Sequence, residues 1–373
     1  MYLERLSLVN FKNYEQAGME FSPKINCLVG RNGVGKTNIL DAIHYLSLCK
    51  SYFNTADTQN IRYGEDFFMI QGDYLRKEMP ENIYCGVKRG QKKILKRNRK
   101  EYERFSEHIG FLPVIMISPS DTTLIQDGSE ERRRFINEVI SQYDHTYLNH
   151  LVQYNRVLQQ RNALLKICSE RNTYDADSME AWNQQLVHLG NGIHQVRTRF
   201  CTELIPIFQK YYDLISEGSE KVDLAYQSQL NEQDFADLLR TSADKDRAVQ
   251  YTTSGIHRDD LQLIMNGNPI RRCGSQGQQK TYLLALKLAN FEFICHHSQL
   301  RPILLLDDIF DKFDSFRVQR IIALVSDQNF GQIFITHTEP QQMMQILHQI
   351  PCEHRIFDIS SDGQILATSN AQS

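Results

Sequence analysis

Short apolar runs bounded by Gly, Pro or Asn occupy the first and last thirds of the chain, and long stripes at helical spacing fill the middle. The runs at Ile25 to Val29, Phe67 to Gln71, Ile83 to Val87, Val114 to Ile117, Leu261 to Met265, Ile303 to Leu306 and Ile333 to Thr336 predict strands. Between residues 131 and 166, Phe135, Val139, Tyr143, Tyr147, Leu151, Tyr154 and Leu158 recur in steps of four and three, which predicts a long amphipathic helix. A second stripe runs through Met179, Trp182, Leu186, Leu189, Ile193, Val196, Phe200, Leu204 and Phe208. At about 1.5 Å per residue each segment would reach roughly 45 Å. The polar stretch CSERNTYDADS between them permits an antiparallel hairpin. Pro206 is expected to kink or end the second helix. Both ends therefore read as mixed α/β, and the middle as a helical arm.

At 373 residues the chain exceeds one ordinary domain. Its 41% hydrophobic and 23% charged residues exclude collagen-like and disordered classes. The net charge of −3 argues against a generally basic nucleic-acid binder but is silent on local patches. One patch stands out. KRGQKKILKRNRK, residues 88 to 100, holds Lys88, Arg89, Lys92, Lys93, Lys96, Arg97, Arg99 and Lys100 with no acid among them. Such a run is either a solvated hairpin or a strip that neutralises nucleic-acid phosphates. Its few aromatics favour a duplex backbone over stacked single strands. Arg132 to Arg134 form a second basic run at a helix start, suited to arm packing or ion pairs. The eight Cys show no C-x-x-C pair, so buried thiols in a reducing compartment are expected. The N-terminus carries charge from its fourth residue and has no apolar signal core. No apolar run approaches the ~20 residues that a bilayer requires. A soluble, cytoplasmic protein with no membrane partner is the expectation.

The chemistry begins at GRNGVGKT, which fits G-x-x-x-x-G-K-[ST]. It comprises Gly30, Arg31, Asn32, Gly33, Val34, Gly35, Lys36 and Thr37, preceded by the strand-like INCLV and followed by the apolar-periodic TNILDAIHYLSL. The glycines let successive N–H groups turn toward a polyphosphate at a helix N-terminus. Lys36 would reach the β and γ phosphates, and the Thr37 hydroxyl would ligate Mg²⁺. The motif alone does not separate kinase, GTPase, transporter ATPase and DNA ATPase.

PILLLDDIFDKFD ends a buried-strand run at Asp307 and Asp308. Asp307 suits Mg²⁺ from the side opposite Thr37, and Asp308 is placed to orient or deprotonate an attacking water. Upstream, Ser275, Gly277 and Gln278 open an apolar helix and form a second candidate anion site, or simply a capped helix start. Two such helix starts could sandwich one nucleotide if two chains meet. His337 ends the run QIFITH and is either a packed core histidine or a γ-phosphate contact.

Phosphate loop, helical insertion, SxGQ signature, acidic strand end, acidic turn and strand-end His follow the order of an ABC-type ATPase head. More narrowly, the chain resembles the RecF family of bacterial DNA replication and repair ATPases, relatives of SMC proteins. The resemblance runs through LVNFKNY at 8 to 14, GRNGVGKTNILDAIHYLS at 30 to 47, GSEERRRFIN at 128 to 137, SGIHRDDL at 254 to 261, CGSQGQQKTYLLALKLA at 273 to 289 and LLLDDIFDKFD at 304 to 314. It departs at Ile256, where a Pro is usual, and at Phe53, where a basic residue is common.

The resemblance implies an α/β fold, an ABC-type P-loop ATPase head formed by residues 1–120 and 250–373 with an inserted helical arm at 121–249. It also implies an ATP-dependent homodimer in which Ser275, Gly277 and Gln278 of one chain complete the site built on Lys36 of the other. By motif position Asp307 is the Mg²⁺ acid, Asp308 the water-orienting carboxylate, Asp314 the D-loop residue and His337 the γ-phosphate sensor. Asp308 is one methylene shorter than the Glu of transporters, so slow hydrolysis of ATP is expected. The implied partners are double-stranded and gapped DNA, RecR with RecO, and indirectly RecA. The alternatives are the ATPase subunit of another SMC-like DNA-processing complex or of an ABC transporter; the absence of a membrane segment and the basic run speak against the transporter.

Overall fold

A computed structural model describes residues 1–173, 175–216, 220–309, 318, 321, 324, 330–348, 353–360 and 365–370. The elements are β1 (Tyr2–Phe11), β2 (Tyr14–Glu20), β3 (Ile25–Val29), α1 (Lys36–Leu48), β4 (Phe67–Arg76), β5 (Met79–Lys88), β6 (Ile94–Arg97), β7 (Lys100–Glu101) and β8 (Val114–Ile117). They continue with α2 (Ser129–Ser141), α3 (His145–Glu170), α4 (Ala176–Ser216), β9 (Val222–Gln227), β10 (Asp260–Met265), β11 (Asn268–Pro269), α5 (Gln276–Ser298), β12 (Ile303–Leu306), β13 (Ile333–His337), α6 (Pro340–His348), β14 (His354–Ile359) and β15 (Ile365–Asn370), with short helical turns between them. Contacts divide the chain into two compact units, Met1–Asp121 with Leu283–Ser373, and Thr122–Tyr282.

The first unit holds two sheets. One is antiparallel in the order β2-β1-β4-β5-β6-β7; the other has the order β15-β14-β3-β13-β12-β8. In the second sheet β14, β3, β13, β12 and β8 run parallel, and only β15 is antiparallel. Strands β3, β8, β12 and β13 are buried along their whole length, as expected of strands covered on both faces. Burial on both faces is why β8 and β12 read as unbroken apolar runs, while β3 and β13 depart from one only at Asn26, Thr336 and His337. Helix α1 touches strands of both sheets and buries all but two of its residues; the polar Lys36, Asp41, His44 and Ser47 are among those buried. Strand β4 extends past Gln71 to Arg76, and β5 starts at Met79, because the two pair along their full length from Phe67↔Lys88 to Arg76↔Met79.

In the second unit the stripe between residues 131 and 166 forms two helices rather than one. Asp144 ends the first run and caps the next helix, its side chain accepting from the Tyr147 amide at 2.8 Å. Of the two outcomes expected at Pro206, the ending is corrected: α4 runs on through Pro206 to Ser216. Pro206 lies on the exposed face, while Leu204 and Phe208, on either side of it, are fully buried. Packing on both flanks holds the helix across the missing N–H. Residues 250–282 share this unit with the helices, because β10 pairs with β9 from Asp260↔Gln227 to Met265↔Val222. Two buried ion pairs, Arg161–Asp246 and Arg197–Asp259, lie inside it.

Cys27, Cys49, Cys85, Cys168 and Cys201 are buried and unbridged, Cys295 is half-buried and Cys273 is exposed. Among the described residues no helix is long and apolar enough to cross a membrane.

Candidate nucleotide site

Strand β3 delivers the chain into the glycine-rich loop. Gly30 has φ +146°, and a Cβ there would lie 2.4 Å from the Ile359 carbonyl oxygen. Only glycine meets both demands. Gly35, at φ +113°, caps α1; a Cβ on it would strike Asn13 at 2.5 Å. Gly33, at φ +85°, would point a Cβ into open space. Lys36 begins α1 and is buried, its Nζ folded back to donate to the Gly30 and Arg31 carbonyls at 2.7 and 2.9 Å. Arg31, Asn32 and Gly33 are exposed, and Val34 is buried.

Thr37 Oγ1 donates to Asp307 Oδ1 at 2.8 Å, and Thr336 Oγ1 donates to the same atom at 2.9 Å. Burial raises the Asp307 pKa above its ordinary value; these hydroxyls and the charges of Lys36 and Lys12 oppose that shift. Asp308 follows with φ +47°, its amide donating to Thr336 Oγ1 at 2.8 Å. The ladder ends at Leu306, so the left-handed turn at Asp308 frees the pair from strand alternation. His337, the buried last residue of β13, accepts at Nδ1 from the Glu339 amide at 2.8 Å. That bond places the ring proton on Nε2. The His337 carbonyl accepts from the Gly30 amide at 3.3 Å and ties β13 to the loop. Gly30 to Thr37, Asp307, Asp308 and His337 thus come together at the carboxyl ends of β3, β12 and β13, where open α/β sheets hold their ligands. Asp314 lies outside the described residues. A buried ammonium, a hydroxyl and a carboxylate meet here beside an open loop of N–H groups. That donor set fits a polyphosphate with a hard divalent cation on Thr37 and Asp307.

A supporting network lies beyond the residues that the motifs single out. Asn13 donates to the Val34 carbonyl at 3.0 Å and accepts from Asn38 at 2.7 Å, propping the loop from the β1–β2 turn. Lys12 pairs with the fully buried Asp41 of α1 at 2.6 Å, and Asp41 also accepts from Ser51 Oγ and the Tyr52 amide. The Lys12 ammonium lies 5.3 Å from the centre of the Phe53 ring. LVNFKNY is the signal available for Asn13 and Lys12, but it carries no role until α1 is in place.

Ser275, Gly277 and Gln278 belong to the second unit. The Ser275 amide donates to the Gln278 side chain at 2.8 Å and the Gln278 amide to Ser275 Oγ at 3.2 Å, a reciprocal cap on an exposed helix start. Gln278 also donates to Glu220 at 2.8 Å. In the same unit HRDDL is largely a structural knot. Burial depresses the His257 pKa to about 4, Asp259 pairs with Arg197, and Asp260 pairs with Arg132 at 2.7 Å.

The basic run forms the β5–β6–β7 meander, and alternation sorts its charges. Leu95 is buried, and Lys93 and Arg97 share its inward face. Lys93 pairs with Asp57 and donates to the Cys49 carbonyl at 2.6 Å; Arg97 pairs with the buried Glu81 at 2.8 Å and lies over Phe111. Lys96 is half-exposed beside Tyr84, whereas Lys88, Arg89, Lys92, Arg99 and Lys100 are exposed.

The chain matches the RecF/RecN/SMC N-terminal domain family over residues 2–355. It is 49% identical to the DNA replication and repair protein RecF of Flavobacterium johnsoniae over 359 residues, covering 96% of this chain and 100% of that one. It is 50% identical to RecF of Phocaeicola vulgatus over 367 residues, covering 98% of each. A solved structure of the recombination mediator protein RecF with ATP, from the RecFOR pathway, superposes with a TM-score of 0.88 at 28% identity, covering 99% of this chain and 98% of that one.

Proposed function

We propose a function from one premise: the chain belongs to the RecF/RecN/SMC N-terminal domain family and, within it, to the DNA replication and repair protein RecF, with the α/β fold of an ABC-type ATPase head. On that premise it is an ATP-dependent DNA clamp of recombinational repair and replication restart. It dimerises at gaps or junctions of duplex DNA when ATP is bound, and it hydrolyses ATP slowly.

The observation that carries this reading is the meeting of Lys36, Thr37 and Asp307 at the carboxyl ends of β3 and β12. Bound Mg·ATP supplies the phosphoanhydride bond and the charge that these residues recognise. Lys36, which rests on the Gly30 and Arg31 carbonyls, would hold the phosphate oxygens, and Thr37 and Asp307 would hold the cation. Asp308 orients water, and His337, protonated at Nε2, serves as a donor toward the terminal phosphate. Ser275, Gly277 and Gln278 of a second copy complete the site, with Asp314 as the D-loop residue. RecR with RecO, and through them RecA, are the partners that the family suggests.

Mass measurement of the wild type and of Asp308→Asn, with and without ATP and gapped duplex, tests the clamp. An ATP-stabilised dimer that holds DNA, longer-lived in the variant, is expected; a monomer indifferent to both would overturn it. DNA contact is assigned to the outward cations Lys88, Arg89, Lys92, Arg99 and Lys100, with Lys96 at their edge and Lys93 and Arg97 as internal supports. Lys88→Glu with Arg89→Glu and Lys92→Glu should flatten the dependence of log affinity on log salt by about 0.9 for each DNA phosphate that is no longer neutralised. ATP binding should be unchanged. An unaltered slope removes this strip from the account.

A further inference from the structure

The strands that carry Asp307 and His337 at their carboxyl ends carry a different chemistry at their amino ends. Lys24 precedes β3, Arg301 precedes β12 and Gln332 precedes β13. These residues and Lys77, from the turn between β4 and β5, line a cavity of about 380 Å³ with Pro23 and Leu300 on its walls. A five-residue strand separates Lys24 from the phosphate loop, about 16 Å of backbone. The cavity is therefore remote from the nucleotide site.

Its charges are of one sign. Lys24, Lys77 and Arg301 line it, and among the described residues no carboxylate does. None of the three side chains takes part in an ion pair or a hydrogen bond among the described residues; Lys24 bonds only through its backbone. Lys24 is half-buried, and Lys77 and Arg301 are exposed at the rim, open to a ligand from solvent. Glu4 is engaged next door: it accepts from the Tyr2 hydroxyl at 3.1 Å and lines the neighbouring groove.

The floor is rigid. Gln332 is buried, donating to the Leu3 and Ser22 carbonyls at 2.8 Å each and accepting from the Leu3 amide at 2.8 Å. Its amide group is thus consumed in stitching β1 to the loop before β3. The Ile333 amide donates to the Lys24 carbonyl at 2.8 Å and fixes the backbone at that cation. Like charges gathered around one cavity repel one another until a counter-charge enters, and a multivalent anion relieves that repulsion better than a single carboxylate does. An Arg fork with two Lys point charges is a set that suits phosphate oxygens.

We propose that this cavity is a second anion site, distinct from the phosphate loop, that takes a phosphate group. The group comes either from a free phosphorylated small molecule or from the 5′-phosphate of a nucleic-acid end. Calorimetry with pyrophosphate on the full-length Lys36→Ala chain weakens the phosphate loop, and variants at Lys24, Lys77 and Arg301 made in that background report on this cavity alone, so its failure and that of the nucleotide reading are distinguishable. One site is expected, at least tenfold weaker when Lys24→Gln and Arg301→Gln are added, and weaker again with Lys77→Gln. Thermal melts should be unchanged, because these side chains hold no internal partner. Absence of binding at millimolar pyrophosphate, or equal affinity in the triple-Gln background, overturns the proposal. Decamers with 5′-phosphate and 5′-hydroxyl ends then separate the sources. A preference for the phosphorylated end that vanishes with Arg301→Gln identifies a nucleic-acid end, and equal binding of the two decamers identifies the free ligand.

Discussion

At Gly30–Thr37 the loop turns its own lysine inward, buries it, and bonds the next residue to a carboxylate from another strand. At Gly274–Gln278 the serine and glutamine bond each other, and the helix start faces solvent. Both are glycine-containing helix starts, yet only the first is surrounded by charge and by strand ends from its own unit. A helix terminus becomes a site when other elements deliver chemistry to it; otherwise it is a cap that awaits a surface.

The largest effect that sharpens this contrast is expected at Lys36. Lys36→Ala should weaken nucleotide binding about 100-fold or more in an isolated chain, on the order of 3 kcal/mol, as read by fluorescent-nucleotide titration. Ser275→Ala should leave that single-chain affinity unchanged. Equal losses in both variants would erase the distinction.

Next come the glycines. Gly30→Ala forces a side chain onto the Ile359 carbonyl at a left-handed φ and should destabilise the first unit by about 1–3 kcal/mol. Gly277→Ala meets nothing within 4 Å and should be neutral or stabilising by up to about 1 kcal/mol. Chemical denaturation of the two variants compares them directly.

Asp307 gives a smaller, pH-dependent effect. Its folded pKa is raised by burial, so the folded state favours the protonated acid. Stability from this group is complete below the unfolded pKa and is lost as pH rises through the folded one. In nucleotide-free protein, Asp307→Asn should therefore raise the melting temperature at pH 7, with the gain shrinking as pH falls into the ordinary aspartate range. A variant less stable at pH 7 would mean that the hydrogen bonds from Thr37 and Thr336 outweigh the cost of burial. The smallest change is the cap itself: Ser275→Ala should cost about 1 kcal/mol, locally, in amide exchange at the start of α5.

Much of the sheet that holds the site is legible in the sequence. Val114–Ile117 and Ile303–Leu306 are apolar without interruption, and Ile25–Val29 is broken only by the hydrogen-bonded Asn26, because all three are covered on both faces; their bounds match the strands residue for residue. Strands β1 and β2 give no such run. Half of their side chains face away from the core, so their apolar residues are interleaved with Glu4, Arg5, Glu15 and Gln16. The break at Asp144 is hidden because the apolar stripe keeps its spacing across the cap, and Pro206 misleads because packing on both sides outweighs one lost hydrogen bond. Within the basic run, composition cannot sort inward from outward cations. Lys93 and Arg97 look like their neighbours until the register of β5 with β6 assigns their face and Asp57 and Glu81 supply their partners.

The cysteines have a practical consequence. Burial pushes the Cys49 and Cys201 thiols up to about 12 and Cys295 to about 11, whereas Cys273 is exposed just ahead of Ser275. Among the described thiols, an alkylating dye offered to the native protein would select Cys273. The helix start that lacks a site of its own therefore carries its own reporter, and quenching or protection of that dye would register the moment at which another surface covers it.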